Sequence, residues 1–161
     1  MADWYVRNVA DADWLVNEKF GARVFLVPGE AEVGVRVHVL EPGKPSTLYH
    51  RETGQEGFLV VEGECLLILG DEERTLQAWD YFHCPPGVAH SFVGAGDRPC
   101  VLVTVGLRDE NGSIVYERHE PALAHGAGVE EETNTPDVAY APFPKWQPGR
   151  PRGWDELPWN R

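Results

Sequence analysis

Apolar and polar residues alternate along much of this chain, and the alternation is most regular between Val33 and Leu40. Every second residue from Val33 to Val39 is a valine, so the valines would share one face of a strand. The opposite face would carry Arg36 and His38. If the valine face fills the core, these two polar side chains are solvated. If the strand turns them inward instead, Arg36 and His38 line a pocket.

Short apolar runs separated by Gly, Pro and acidic turns continue through the middle of the chain. A succession of short strands with Gly and Pro turns is typical of an all-β sandwich or barrel. At 161 residues, the chain is long enough for one domain with a sizeable core. We expect residues 33–118 to form the barrel, and the predicted strands are 20–28, 33–40, 57–61, 65–69, 74–79, 80–84, 91–93, 100–107 and 113–117.

The two ends of the chain differ in character from this middle part. Residues 1–32 predict an extension that packs on the barrel. Residues 119–161 are rich in proline and tryptophan, and proline cannot continue a sheet ladder, so they predict an extended C-terminal arm after a helical turn at 122–125. The aromatic side chains of this arm need a surface to cover. They would cover either the chain's own barrel or a partner subunit.

Composition and charge narrow the range of possible binding partners. A hydrophobic content of 42% with 25% charged residues indicates a folded globular protein. The formal net charge of −12 would repel nucleic acid and anionic membranes, so we expect neither as a partner. The sequence shows no signal-peptide pattern and no apolar run near the length of a membrane span, which predicts a cytoplasmic protein. The three cysteines match no zinc-ribbon spacing and predict buried free thiols, although Cys84 could approach a cavity near His90.

Two histidines and two glutamates have spacings that could bring them to one point. His50 and Glu52 are two residues apart, so both side chains would leave the same face of a strand. Glu56 opens the next strand, and His90 follows a rigid Pro-Pro-Gly corner. Two carboxylates facing into a barrel would repel each other, and a bound divalent cation would remove that cost. The four residues therefore predict a metal site.

The ligand types limit the metal only in part. Two nitrogen and two oxygen ligands suit zinc, manganese, iron or nickel. His50, Glu56 and His90 alone would make a two-histidine, one-carboxylate triad with open positions, as in non-haem iron oxygenases. Glu52 would then be either a fourth ligand or a general base beside the open position. We expect the pocket around the metal to be lined by Arg36, His38, Phe58, Cys84 and Phe92.

The order and spacing of these residues resemble the two motifs of the cupin superfamily. In the first motif, Gly43, His50, Glu56 and Gly63 fall at or near the family's positions, and Glu52 stands where the second histidine would be. The second motif is carried by Pro85, Gly87 and His90, whereas Trp79 and Gly94 replace the family's first glycine and its asparagine. The fifteen residues between the motifs look like the short form of small microbial cupins.

The resemblance implies a small single-domain cupin, with a double-stranded β-helix or jelly-roll barrel, and the dimers common among cupins suggest a homodimer. It also implies a small-molecule ligand or substrate. Three functions follow from it. The protein could be a metal-dependent enzyme of the dioxygenase, isomerase or lyase type, a non-catalytic module that binds a small ligand or sugar, or a metal-stabilised structural dimer.

Overall fold

The computed structural model of the chain describes residues 4–160, and most of its regular structure is antiparallel β-sheet. Its helices are short: α1 is Glu120–Ala124, α2 is Pro136–Tyr140, and single 3-10 turns lie at Val9–Asp11, Trp154–Glu156 and Pro158–Asn160. The strands are β1 Leu15–Asn17, β2 Gly21–Phe25, β3 Val33–Leu40, β4 Arg51–Glu52, β5 Glu56–Glu62, β6 Glu64–Leu69, β7 Glu72–Gln77, β8 Tyr81–Cys84, β9 Ser91–Ala95, β10 Cys100–Leu107, β11 Ile114–Val115 and β12 Gln147–Pro148.

Two main sheets enclose the core of the barrel. The larger has the strand order β12-β1-β2-β3-β10-β5-β8, and the smaller has the order β7-β6-β9. Strand β4 pairs with β11, and Glu52 and Ile114 of this pair line the cavity described below. Apolar side chains from both sheets meet inside, among them Val60 and Leu102 from the larger sheet and Leu67 and Phe92 from the smaller. The prediction of an all-β barrel is confirmed.

The tight turn between β5 and β6 depends on Gly63. Its φ of +75° lies in the left-handed region that favours glycine. A Cβ atom at this position would lie 2.4 Å from the carbonyl oxygen of Pro99, so a larger residue would also collide with the chain next to it. Gly63 therefore fixes the crossing of the chain from the larger sheet to the smaller one.

Strand β3 is covered on both faces, which decides between the two alternatives for Arg36 and His38. Val37 and Val39 pack in a second cluster, under Trp14 from the N-terminal segment and Leu157 from the C-terminal one. The opposite face points into the barrel and carries Arg36 and His38. The solvated alternative is therefore wrong, because terminal segments that the strand pattern could not foresee cover the valine face.

The C-terminal segment differs from the predicted extended arm. It folds back on its own barrel through α1, α2 and the 3-10 turns, and β12 adds a strand to the edge of the larger sheet. Pro148 pairs with Leu15 there, because an edge strand has one side without ladder hydrogen bonds, where proline is tolerated. The predicted helical turn is present as α1, capped by His119 Nδ1, which accepts a hydrogen bond from the Ala122 amide at 3.3 Å.

A ring of aromatic contacts fastens this segment to the barrel. Phe20, which is buried, contacts Tyr140, Phe143 and Trp146 with ring centroids 5.3, 5.4 and 6.3 Å away. The Tyr140 hydroxyl also accepts a hydrogen bond from the Leu48 amide at 3.1 Å. None of the helices within residues 4–160 is long and apolar enough to cross a membrane.

Trp79 holds a backbone conformation that is costly for a tryptophan. Its φ is +75°, and it is the one non-glycine residue with a positive φ within residues 4–160. Its amide donates to the Val60 carbonyl at 2.7 Å, and the following residue is held by a hydrogen bond from the Asp80 amide to the Gln77 carbonyl at 2.9 Å. The side chain is 74% exposed, so little packing offsets the strain. This is the position at which the cupin motif has glycine.

Replacing Trp79 with glycine is expected to stabilise the protein. Relief of the left-handed conformation is worth about 1 kcal/mol, which corresponds to a rise of about 2–4 °C in Tm for a chain of this size. Thermal unfolding followed by circular dichroism measures the change. Trp79→Ala is the matched control, because it removes the indole but keeps a Cβ atom. A glycine variant no more stable than the alanine variant would show that the turn is not strained.

Candidate metal centre

A backbone bridge brings His50 and His90 together. The His50 amide donates to the His90 carbonyl at 3.2 Å, and the His90 amide donates to the His50 carbonyl at 2.9 Å. Residues paired in this antiparallel way project their side chains to the same side. The two imidazole rings accordingly lie with centroids 5.2 Å apart, and both are buried.

Each imidazole is held in one orientation by a carbonyl two residues earlier in the chain. His50 Nδ1 lies 2.6 Å from the Leu48 carbonyl oxygen, and His90 Nδ1 lies 3.0 Å from that of Val88. A carbonyl can only accept, so each Nδ1 carries the hydrogen and each Nε2 is turned to the cavity. Metal-binding histidines are commonly oriented by this kind of second hydrogen bond.

Both Nε2 atoms face carboxylates. His50 Nε2 lies 3.2 Å from Glu52 Oε1, and His90 Nε2 lies 3.3 Å from Glu56 Oε2. One ligand atom from each of His50, Glu56 and His90 can be chosen so that all three lie within 4.8 Å of one another. Two neutral nitrogens and one carboxylate suit a divalent first-row metal ion. These three side chains could therefore hold a metal.

Glu56 reaches the group from the first position of β5, where it pairs with Cys84 of β8 and Gly106 of β10. Space for its side chain comes from Gly106, where a Cβ atom would approach the Glu56 Cγ atom to 3.3 Å. Glu52 lies outside this three-residue group, although its hydrogen bond to His50 keeps it beside the group. Its side chain is 28% exposed, against 5% for that of Glu56.

The pKa shifts of the four residues differ between the pair His50 and Glu52 and the pair Glu56 and His90. Burial opposes a charge on His50, but the hydrogen bond and negative charge of Glu52 raise the pKa of His50 above its ordinary value. The hydrogen bond from His50 in turn holds the pKa of Glu52 below its usual range. Burial and the charge of Glu52 raise the pKa of Glu56 to about 7, and burial with the charge of His50 lowers the pKa of His90 to about 4. The shifts of the first pair therefore favour an ion pair, and the second pair holds a neutral imidazole.

These proton positions predict a pH-dependent metal affinity. A metal ion needs the Nε2 lone pair of His50 and the carboxylate of Glu56, so it displaces a proton from each wherever both are protonated. Below about pH 7 the affinity should fall as the pH falls, by about tenfold per pH unit for each displaced proton. Calorimetric zinc titrations in buffers of different ionisation heat measure both the affinity and the number of protons released. An affinity that does not change with pH would contradict this assignment.

The candidate ligands line a cavity of about 850 Å³. This volume is in the range of small-molecule sites. Arg36, His38, Phe58 and Phe92 line the cavity together with His50, Glu52, Glu56 and His90.

Cys84 does not line this cavity, so the expectation that it belongs to the pocket is wrong. It lies behind the His90 ring, with its Sγ atom 3.3 Å from His90 Nδ1 and 3.5 Å from the Val88 carbonyl oxygen. Burial raises the pKa of the Cys84 thiol to about 12, so it is a neutral thiol at physiological pH. Its role here is to pack against the imidazole.

Several cavity residues were missed by the sequence prediction. Strand residues Arg23 and Thr104 line it, and so does Tyr116, whose ring centroid lies 5.7 Å from that of His50. The C-terminal segment supplies another wall through Tyr140, Phe143 and Trp146. One feature of the sequence could have identified Arg23, because this charged residue interrupts an apolar run between Ala22 and Val24. No local pattern marked the C-terminal residues.

Comparison with known proteins agrees with this architecture. The family model described as "Cupin domain" matches residues 36–106. A sugar phosphate isomerase of the cupin superfamily from Silicibacter pomeroyi is 22% identical, with a TM-score of 0.63 over 68% of this chain and 80% of that one. The polyketide cyclase RemF from Streptomyces resistomycificus is 17% identical, with a TM-score of 0.58 over 66% and 81%. An RmlC-like cupin from Shewanella frigidimarina is 19% identical, with a TM-score of 0.56 over 68% and 95%.

At these identities the likeness to solved structures is one of fold. No curated protein matches the chain in sequence. The family match covers most of β3, most of β10 and every strand between them. It contains both motifs and all four candidate ligands. Residues 36–106 therefore match the cupin family, and the sheets of the chain have the double-stranded β-helix fold of its cupin neighbours.

Proposed function

We propose that this protein is a metal-dependent enzyme that moves a proton on a small carbonyl-containing molecule, as an isomerase or a lyase. The observation that carries the proposal is the arrangement of four side chains that line the cavity. There, His50, Glu56 and His90 can converge on one ion, and Glu52 stands beside them with a more exposed carboxylate. A divalent ion at this position would polarise a substrate oxygen and so make a neighbouring C–H bond more acidic.

In this proposal, Glu52 accepts the proton. It lines the cavity, and its one hydrogen bond to a side chain among the described residues is with His50 Nε2. That nitrogen has a single bonding position, so a His50 that ligates a metal ion cannot also donate to Glu52. The carboxylate would then be free for the substrate, which is the geometry a general base requires.

The walls of the cavity would orient a substrate and limit the access of water to it. Phe58 and Phe92 form an apolar side beside His90, with ring centroids 5.0 and 5.9 Å from the imidazole. Tyr116 lies next to His50. Burial, nearby negative charge and a hydrogen bond with Tyr140 raise the pKa of Tyr116, so its phenol stays protonated. Structural neighbours described as a sugar phosphate isomerase and a polyketide cyclase also support an activity on small molecules.

A proton-exchange assay tests this function. Metal-loaded protein would be incubated in D₂O with a panel of aldoses, ketoses, their phosphates, and hydroxy and oxo acids, and deuterium uptake would be followed by NMR. The proposal predicts metal-dependent deuterium uptake next to a carbonyl in at least one member. Substrate-dependent oxygen consumption would instead indicate a dioxygenase. Stabilisation by a compound without turnover would indicate a non-catalytic binding module.

A further inference from the structure

The geometry points to a second subsite in the same cavity, formed by Arg23, Arg36, His38 and Thr104, that binds the oxyanion of a small anionic ligand. A carboxylate and a phosphate share the chemistry that this subsite would recognise. The inference deepens the proposed function, since it gives the substrate a negative charge. Anion binding itself does not require turnover.

The strand register brings the four side chains to one face. Arg23 of β2 pairs with His38 of β3, and Arg36 of β3 pairs with Thr104 of β10. Paired residues share a face of the sheet, and so do residues two apart on one strand, such as Arg36 and His38. All four line the cavity. They therefore form one polar patch on three neighbouring strands inside the barrel.

The patch contains buried polar atoms without a partner. Within residues 4–160, the buried side-chain atoms that lack a hydrogen-bond partner include Arg23 Nε, His38 Nδ1 and Thr104 Oγ1. His38 is 2% exposed and Thr104 is 3% exposed. Buried polar groups are nearly always satisfied, because an unpaired one costs about 1–3 kcal/mol. Three such atoms on one cavity wall indicate that a ligand completes their hydrogen bonds.

The two guanidinium groups give this wall a positive charge. No carboxylate lies within ion-pair distance of Arg23 or Arg36 among the described residues. Burial and the charge of Arg36 lower the pKa of Arg23 to about 10, so Arg23 is still a cation at neutral pH. Glu52 and Glu56 line the same cavity and act on Arg36 through their charge, but neither forms an ion pair with it, so both guanidinium groups keep donors for an anionic ligand.

Trp146 orients one of these cations. The Arg23 guanidinium carbon lies 3.9 Å from the centroid of the Trp146 ring. Stacking of this kind uses the flat face of the guanidinium and leaves its edge N–H groups free to donate. The C-terminal segment thus does more than cover the barrel, because it holds Arg23 in a position to bind an oxyanion.

Isothermal titration with inorganic phosphate and with malonate tests the subsite. The titrations use metal-free protein at low ionic strength, so that neither anion can bind to a metal ion. We expect at least one of the two anions to bind, and Arg23→Met or Arg36→Met to weaken that binding about tenfold or more. A preference for phosphate or for malonate shows which oxyanion the subsite suits.

Two further variants make the result decisive. Arg74→Met removes an exposed arginine of β7 outside the cavity and should leave binding unchanged. Arg23→Lys keeps the charge and should retain part of the affinity even if the methionine variants fold poorly. Absence of binding by both anions, or equal weakening by Arg74→Met, would overturn the inference. If the anions bind through the arginines but the metal-loaded protein shows no deuterium exchange, the proposed function would be contradicted and the anion subsite would stand.

Discussion

Replacing His90 with alanine is expected to abolish high-affinity metal binding, with a loss greater than about a hundredfold. The substitution removes one of the two Nε2 donors and the partner of the buried Glu56 carboxyl group. It also leaves a gap beside Phe58, Phe82 and Phe92, whose ring centroids lie 5.0, 6.0 and 5.9 Å from the imidazole. We expect a cost of about 2–4 kcal/mol in stability but a folded barrel. Calorimetric titration with zinc and manganese measures the affinity, and circular dichroism measures the fold.

His83→Ala is the matched control for this variant. His83 lies on β8, is exposed, and belongs to no group of candidate ligands within residues 4–160. It should keep the metal affinity of the unaltered protein. A His90→Ala variant that is folded and binds metal as tightly as His83→Ala would exclude His90 as a ligand.

Replacing Glu52 with glutamine should lower turnover by about 10²–10⁴-fold and leave metal content unchanged. The amide has the size of the carboxylate but cannot accept a proton at neutral pH. In the metal-free protein it can still accept a hydrogen bond from His50, so the local packing should be kept. Deuterium exchange on the substrate found by the NMR panel measures turnover, and elemental analysis measures metal content.

The alternative role of Glu52 gives a different result. If Glu52 is a fourth ligand, the glutamine variant should lose metal affinity and turnover together. Glu72→Gln, an exposed position at the start of β7, controls for the loss of one negative charge. A Glu52→Gln variant with full turnover would contradict both roles.

Local patterns predicted that the four candidate residues lie close together, because the rules that bring them together act over a short range of sequence. Two-residue spacing on an extended chain puts His50 and Glu52 on one side, where the structure has their side chains 3.2 Å apart. Alternation also predicted the strand over residues 100–107, which is present as Cys100–Leu107. Each of these features depends on the alternation of side chains between the two faces of a strand, and this alternation can be seen directly in the sequence.

The walls of the cavity depended on contacts that no local pattern encodes. Tyr140 hydrogen-bonds to Leu48 across 92 residues of sequence, and Trp146 stacks on Arg23 from the other end of the chain. Proline content alone indicated an extended arm, whereas the fit of Phe143 and Trp146 around Phe20 determined where the segment lies. The homodimer and the cytoplasmic location stay predictions of the sequence.

The most direct test of the metal centre is anomalous diffraction from crystals of protein reconstituted with zinc or manganese. We predict one strong anomalous peak per chain, within bonding distance of His50 Nε2, His90 Nε2 and a Glu56 carboxylate oxygen. The same map would show whether Glu52 also reaches the ion. Absence of a peak at these three side chains in metal-saturated crystals would contradict the account.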